Sequence, residues 1–132
     1  MHAFVNARDL GKLVISPFDM VISARRALQP DVLFIAKKHL GRIDKVLRGP
    51  ADLVVEVLSE HGRRRDRIDK RDLYAQYGIP EYWMVDPEAR TVEVLTLDRG
   101  DYRLAGRHGL GQTANSVLLD GIKLEVGRLF GS

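Results

Sequence analysis

The sequence predicts a mixed α/β or α+β domain built on a central sheet, and three stretches carry that reading. Leu53-Val54-Val55-Glu56-Val57-Leu58 is an apolar, β-branched run broken by one carboxylate, as expected of a strand buried on both faces. Residues 65–77 place Lys70, Leu73, Tyr74 and Tyr77 on one helical face, and Gly78-Ile79-Pro80 stops the helix. Glu81–Val85 and the alternating Thr91–Leu97 flank the turn Asp86-Pro87-Glu88-Ala89-Arg90 and read as a hairpin. Strands, one good helix and then an antiparallel hairpin form the order of a mixed sheet.

The remaining elements follow in chain order. Residues 1–10 read as a short helical fragment. Lys12–Ile15 is a short strand ended by Ser16-Pro17, and Met20–Ser23 is another short apolar stretch. Asp31–Ala36 is a strand, because Pro30 disfavours helix in the residue before it. Lys37–Arg48 is basic and mixed, compatible with helix or loop, and Gly49-Pro50 breaks the chain. After Asp98-Arg99-Gly100-Asp101 a further strand covers Tyr102–Ala105. Val117–Leu119 and Ile122–Val126 read as short strands or a terminal helical turn.

A length of 132 residues fits a single domain, 1–132, with one core. Apolar residues make up 45% and charged residues 30%, as in ordinary folded chains. No apolar run approaches a membrane span and no signal peptide is visible, so no membrane partner is expected. Cysteine is absent, which excludes disulfides and thiolate metal sites and is compatible with a cytoplasmic setting. The four histidines show no close ligand spacing, so a metal here would be held by oxygen, favouring magnesium or manganese over zinc. Net charge is only +3, but residues 61–71 hold six Lys or Arg in eleven positions: Arg63, Arg64, Arg65, Arg67, Lys70 and Arg71. Such a run attracts polyanions, and it equally suits a solvated helix start with local Arg–Asp pairs.

The chemistry rests on two carboxylates in apolar strands. An unpaired buried carboxylate costs several kcal/mol or changes its protonation state. Asp31 opens one apolar run and Glu56 interrupts another; if the two strands are neighbours, both side chains can project toward one point. With a backbone carbonyl such as that of Val57, they would hold a divalent cation that polarises a phosphodiester. Lys70, on the apolar side of its helix, would orient a water or face developing negative charge, with Asp66 one turn earlier as its pair. Each residue alone has a plainer reading. Asp31 suits a turn after proline, Glu56 an edge strand with one wet face, and Lys70 a helix lysine whose stem lies along apolar surface. Asp52 suits the end of the Gly49–Asp52 turn, and Tyr74, Tyr77 and Trp83 suit a core. Their joint pattern points to a metal site.

That pattern resembles a known family. Gln29-Pro30-Asp31, Asp52 through Ser59, Asp66 with Lys70 and Tyr74, and Gly78-Ile79-Pro80-Glu81-Tyr82-Trp83-Met84-Val85-Asp86-Pro87 resemble the Uma-two family of bacterial proteins assigned as restriction endonucleases. That family is a branch of the PD-(D/E)XK nuclease superfamily. The likeness runs from about Gly11 to the C-terminus. It implies a restriction-endonuclease-like fold, a central mixed sheet flanked by helices, with Asp31 and Glu56 as the metal-binding carboxylates. The superfamily's usual lysine position falls at Leu58, and the family pattern places its lysine on the next helix, at Lys70. Ser59 and Asp66 match family positions of supporting role. The implied reaction is magnesium- or manganese-dependent hydrolysis of DNA. Family members also carry a further N-terminal segment, including a glutamate that resembles a third active-site carboxylate. A chain without it would expose apolar sheet surface, so a homodimer is expected. The alternative is a catalytically inactive nuclease fold that binds nucleic acid through Arg63, Arg64, Arg65 and Arg67, or that binds a protein partner.

Overall fold

The protein is described by a computed structural model over residues 10–58 and 64–130, without the side chains of 64–67 and 128–129. The expected helical fragment at 1–10 falls outside it, apart from Leu10.

Eleven strands are described, and six of them build the central sheet. These are β1 (Gly11–Ile15), β4 (Val32–Ala36), β6 (Leu53–Val57), β7 (Glu81–Asp86), β8 (Thr91–Asp98) and β9 (Asp101–His108), lying side by side in that order. Only β6 and β7 run parallel; every other neighbour is antiparallel. A parallel pair needs a long crossover, and helix α1 (Arg64–Gln76) supplies it. Gly78 stops α1 at a positive φ of 76°, with Gly78 N–H on the Ala75 carbonyl and Ile79 N–H on the Tyr74 carbonyl. This is a Schellman stop. It packs Ile79 with Tyr74 in one buried cluster and delivers the chain into β7.

Both faces of the sheet are covered, which explains why β4 and β6 are almost wholly apolar. One face presents Val32, Phe34, Leu53, Val55, Trp83, Val85, Val92 and Val94. The C-terminal hairpin of β10 (Thr113–Asn115) and β11 (Lys123–Glu125) and the short helix α2 (Val126–Leu129) bring Ala114, Leu124 and Val126 against it. The other face presents Leu33, Ile35, Val54, Tyr82, Met84 and Leu95. It is covered by α1 through Tyr74, and by Met20 and Leu47 of a small sheet of β2 (Met20–Ser23), β3 (Arg26–Leu28) and β5 (Leu47–Arg48). Among the described residues the mixed sheet is thus flanked by the long helix α1, the short helix α2 and two small sheets.

Two expectations change. Val117–Leu119 forms no strand. Its backbone bends around a buried carboxylate, and Val117 and Leu118 are exposed. The basic segment Lys37–Arg48 resolves into a 3-10 turn, Lys37–Arg42, followed by β5. The hairpin between β8 and β9 is tight because Arg99 and Gly100 both take positive φ, 53° and 85°, as a type I′ turn requires.

The carboxylate behind the C-terminal bend is Glu81, which is 0% exposed. Its Oε2 accepts from Trp83 Nε1 at 2.6 Å, and its Oε1 accepts from Ser116 Oγ, Val117 N–H and Leu118 N–H at 2.9–3.1 Å. Removing this acceptor leaves the buried Trp83 N–H and the part-buried donors of residues 116–118 without a partner, at up to about 1–3 kcal/mol for a fully buried donor. Glu81→Ala is therefore expected to lower unfolding free energy by about 3 kcal/mol, and Glu81→Gln by less, in urea titrations followed by far-ultraviolet circular dichroism. An unchanged midpoint for Glu81→Ala would refute the anchoring role.

Candidate metal centre

Register brings the two sequence-singled carboxylates together. In the β4–β6 ladder Phe34 faces Leu53, Leu33 faces Val54 and Val32 faces Val55. The next step outward sets Asp31 opposite Glu56. Alternation along the strands places both on the face covered by α1, the face of Leu33 and Val54. The regular ladder stops at Val32–Val55, and the two carboxylates take over the backbone groups beyond it. Val57 N–H donates to Asp31 Oδ2 at 2.7 Å, and Asp31 N–H donates to Glu56 Oε1 at 3.3 Å. Each acid is thus tied to the other's strand.

Helix α1 completes the arrangement. Lys70 and Tyr74 are four residues apart and so lie on one side of the helix. Tyr74 Oη donates to Glu56 Oε1 at 2.9 Å, and Lys70 Nζ donates to Glu56 Oε2 at 2.8 Å. Glu56 is 3% exposed, whereas the Lys70 side chain is 47% exposed. The ammonium therefore sits between a buried carboxylate and solvent. Tyr74 is buried among Tyr82, Ile79 and Met84, with its ring edge-on to Tyr82 at 5.4 Å. Burial and the adjacent Glu56 raise the Tyr74 pKa, which keeps its hydroxyl a donor at all ordinary pH.

Burial raises the Glu56 pKa above its ordinary 4.5, and the nearby Asp31 adds to this; the bonds from Lys70 and Tyr74 oppose it. The donor set suits a hard divalent cation. It consists of two carboxylates from adjacent strands, with Asp31 Oδ1 taking no hydrogen bond among the described residues. Among the described residues no group of three or more His, Cys, Asp or Glu converges. Two carboxylates with water and substrate oxygen fit magnesium, which rarely takes an all-protein cage, and do not fit zinc.

Other sequence candidates lie elsewhere. Ser59 and Arg63 fall outside the described residues. Arg64, Arg65, Asp66 and Arg67 are in the first turn of α1, and their side chains are outside the description. Asp52, read from the sequence as finishing a turn, instead accepts from Ala36 N–H at 2.7 Å and pairs with His39 Nδ1 at 2.8 Å, tying the 3-10 turn to the foot of β6. Sequence reading missed that pair, and it missed Glu81 as an anchor. The signal for Glu81 was a carboxylate two residues before Trp83 in an apolar strand, hence on the same face.

The raised pKa of Glu56 has a definite effect on stability. Between 4.5 and its folded value the native state holds more protons than the unfolded chain, so this group's contribution falls as pH rises through that interval. Below 4.5 the penalty is absent. Urea midpoints between pH 4 and 7 are expected to show the wild type losing stability relative to Glu56→Gln as pH increases. A wild type that gains on Glu56→Gln over this range would contradict the assignment of burial as the dominant cause.

Comparison with known proteins agrees with this architecture. The Uma2 family model, described as "Putative restriction endonuclease", matches residues 1–127. No curated protein matches the chain. Among solved structures, the chain is similar to a putative nuclease belonging to DUF820 from Anabaena variabilis ATCC 29413, at 15% identity and a TM-score of 0.68. The alignment covers 92% of this chain and 68% of that one. At this identity the likeness establishes a fold and not a chemistry. The α+β fold is restriction-endonuclease-like, and, with the family model matching nearly its whole length, the chain belongs to the Uma2 family.

Proposed function

We propose that this chain is a magnesium- or manganese-dependent endonuclease hydrolysing DNA phosphodiester bonds, with 1–132 acting as one domain. The observation that carries the reading is the interlocked pair of Asp31 and Glu56, opposed across β4 and β6 with a half-exposed lysine at its mouth. Asp31 and Glu56 would hold the ion, with the Val57 carbonyl as a third oxygen. A bound divalent ion supplies Lewis-acid polarisation of the phosphodiester and a lowered pKa for a coordinated water.

The chain's own residues supply the positioning. Val57 N–H fixes the Asp31 carboxylate, and Tyr74 Oη with Asp31 N–H fixes that of Glu56. Lys70 neutralises Glu56 at rest. Its solvent-facing ammonium can turn to the attacking water or to charge developing on phosphate oxygens. The basic run from Arg63 to Arg71 would draw the DNA backbone toward this end of the sheet. The reading includes a homodimer, which would set one such centre against each strand of a duplex. It also includes a cytoplasmic setting, in keeping with a chain without cysteine; no helix among the described residues is long and apolar enough to cross a membrane.

The basic run favours one second reading, a nuclease fold that binds nucleic acid through Arg63, Arg64, Arg65 and Arg67 without cutting it.

Plasmid cleavage with and without magnesium separates the two. Cleavage is expected only with magnesium or manganese, and is abolished in Asp31→Ala and Glu56→Ala variants that keep their circular dichroism and lose the calorimetric heat of metal binding. Lys70→Ala is expected to slow cleavage about 10²- to 10³-fold while still binding metal. Cleavage that survives Glu56→Ala would refute the catalytic reading. Salt-sensitive DNA binding indifferent to chelator, with no cleavage, would favour the second.

A further inference from the structure

The strand register that sets Asp31 against Glu56 continues across the sheet. Glu56 faces Met84, Met84 faces Glu93, and Glu93 faces Arg107. One row of side chains on the α1 face therefore runs from the candidate metal centre toward the edge strand β9. The row beside it holds Asp86 and Thr91, paired in register, with Leu58 just past the end of β6, two residues beyond Glu56. Between these two rows lies a cavity of about 240 Å³ lined by Leu58, Met84, Asp86, Thr91, Glu93 and Arg107. It abuts Glu56 from two sides, through Met84 across the sheet and through Leu58 along the strand.

Charged side chains of both signs line this cavity. Glu93 and Arg107 are cross-strand neighbours of opposite sign, a placement that ordinarily yields an ion pair. They form none, and neither side chain has a hydrogen-bond partner among the described residues; Glu93 is half-buried and Arg107 exposed. An acceptor and a donor thus line the same space, each open to water or to a ligand. Asp86 is committed in part, since its Oδ1 accepts from Glu88 N–H and Ala89 N–H in the following turn. Two carboxylates against one guanidinium make the cavity a poor seat for a phosphate. They suit a group that brings hydrogen-bond donors beside acceptors.

We propose that this cavity receives one unstacked nucleobase of the substrate strand, next to the scissile phosphate, and selects for a base with an exocyclic amino group. Glu93 accepts from the amino group, as acidic side chains do from cytosine N4, and Arg107 donates to the neighbouring ring nitrogen or carbonyl. Thr91 lines the remaining side of the cavity with a hydroxyl that can donate or accept. A base stacked in a duplex cannot reach the floor of a sheet, so the base enters from single-stranded or locally opened DNA. Thymine, with carbonyl oxygens where the others carry an amine, would set an acceptor against Glu93 and be disfavoured. This inference rests on the nuclease reading for its substrate, while its test does not require cleavage.

The test measures binding of eight-nucleotide homopolymers of dC, dA and dT in chelator, by fluorescence anisotropy at fixed salt. The wild type is expected to bind the dC and dA oligomers about tenfold more tightly than dT. Glu93→Ala is expected to bring the three affinities together, and Arg107→Ala to weaken dC and dA more than dT. Circular dichroism and the unfolding midpoint of each variant establish that the fold is kept. Equal affinities for the three oligomers in the wild type, no measurable binding, or an Arg107→Ala variant weakened equally for all of them would overturn the proposal, the last by making Arg107 a phosphate contact. Should DNA remain uncut under every metal condition while the base preference persists, the cavity assignment stands and the nuclease reading falls.

Discussion

The structure turns on the point where the β4–β6 ladder ends. Up to Val32 and Val55 the two strands satisfy one another's backbone groups in the ordinary way. One step further, Asp31 and Glu56 substitute their carboxylates for ladder partners, each accepting an N–H from the other strand's end. A carboxylate as buried as Glu56 cannot remain ionised there on one weak bond. It requires Lys70 and Tyr74, which constrains where α1 lies and which of its sides faces the sheet. The crossover between two parallel strands is required by topology alone. This crossover offers a lysine and a tyrosine one turn apart, and both reach Glu56.

Three buried carboxylates among the described residues allow a contrast. Glu81 is surrounded by neutral donors, with four hydrogen bonds from Trp83, Ser116, Val117 and Leu118 and no cation. Its bonding capacity is filled and it serves as an anchor for the C-terminal bend. Asp52 is filled in a similar way by Ala36 N–H and His39. Glu56 differs because its partners include an ammonium that is half in solvent, and because a second carboxylate faces it. Burial equal to that of Glu81 thus leads to a different chemical character. A saturated carboxylate has nothing left to offer a ligand. One neutralised by a half-exposed side chain can exchange that partner for an incoming cation.

The cross-sheet row carries the same register beyond the candidate metal centre. Side chains on one face of a sheet repeat at about 4.8 Å from strand to strand, so a register set by core packing also spaces polar groups along a line. The apolar residues Val54, Tyr82 and Leu95 hold the register. Glu56, Glu93 and Arg107 occupy positions one pleat away on the same face and inherit that spacing.

Much of this was legible in the chain itself. The apolar runs at Val32–Ala36 and Leu53–Val57, the helix stop at Gly78 and the alternating hairpin over 81–98 are local signals, set by burial, backbone freedom and side-chain alternation. Asp31, Glu56 and Lys70 could be singled out because charge in an apolar context needs compensation wherever the chain folds. The sequence could not reveal that Val117–Leu119 would bend around Glu81, that Asp52 would meet His39, or that Glu93 and Arg107 would share a cavity with Asp86. Those contacts join residues far apart in the chain, or on strands whose pairing depends on the whole sheet. A strand's own sequence determines which residues share a face; only the register against its neighbours decides which of them meet.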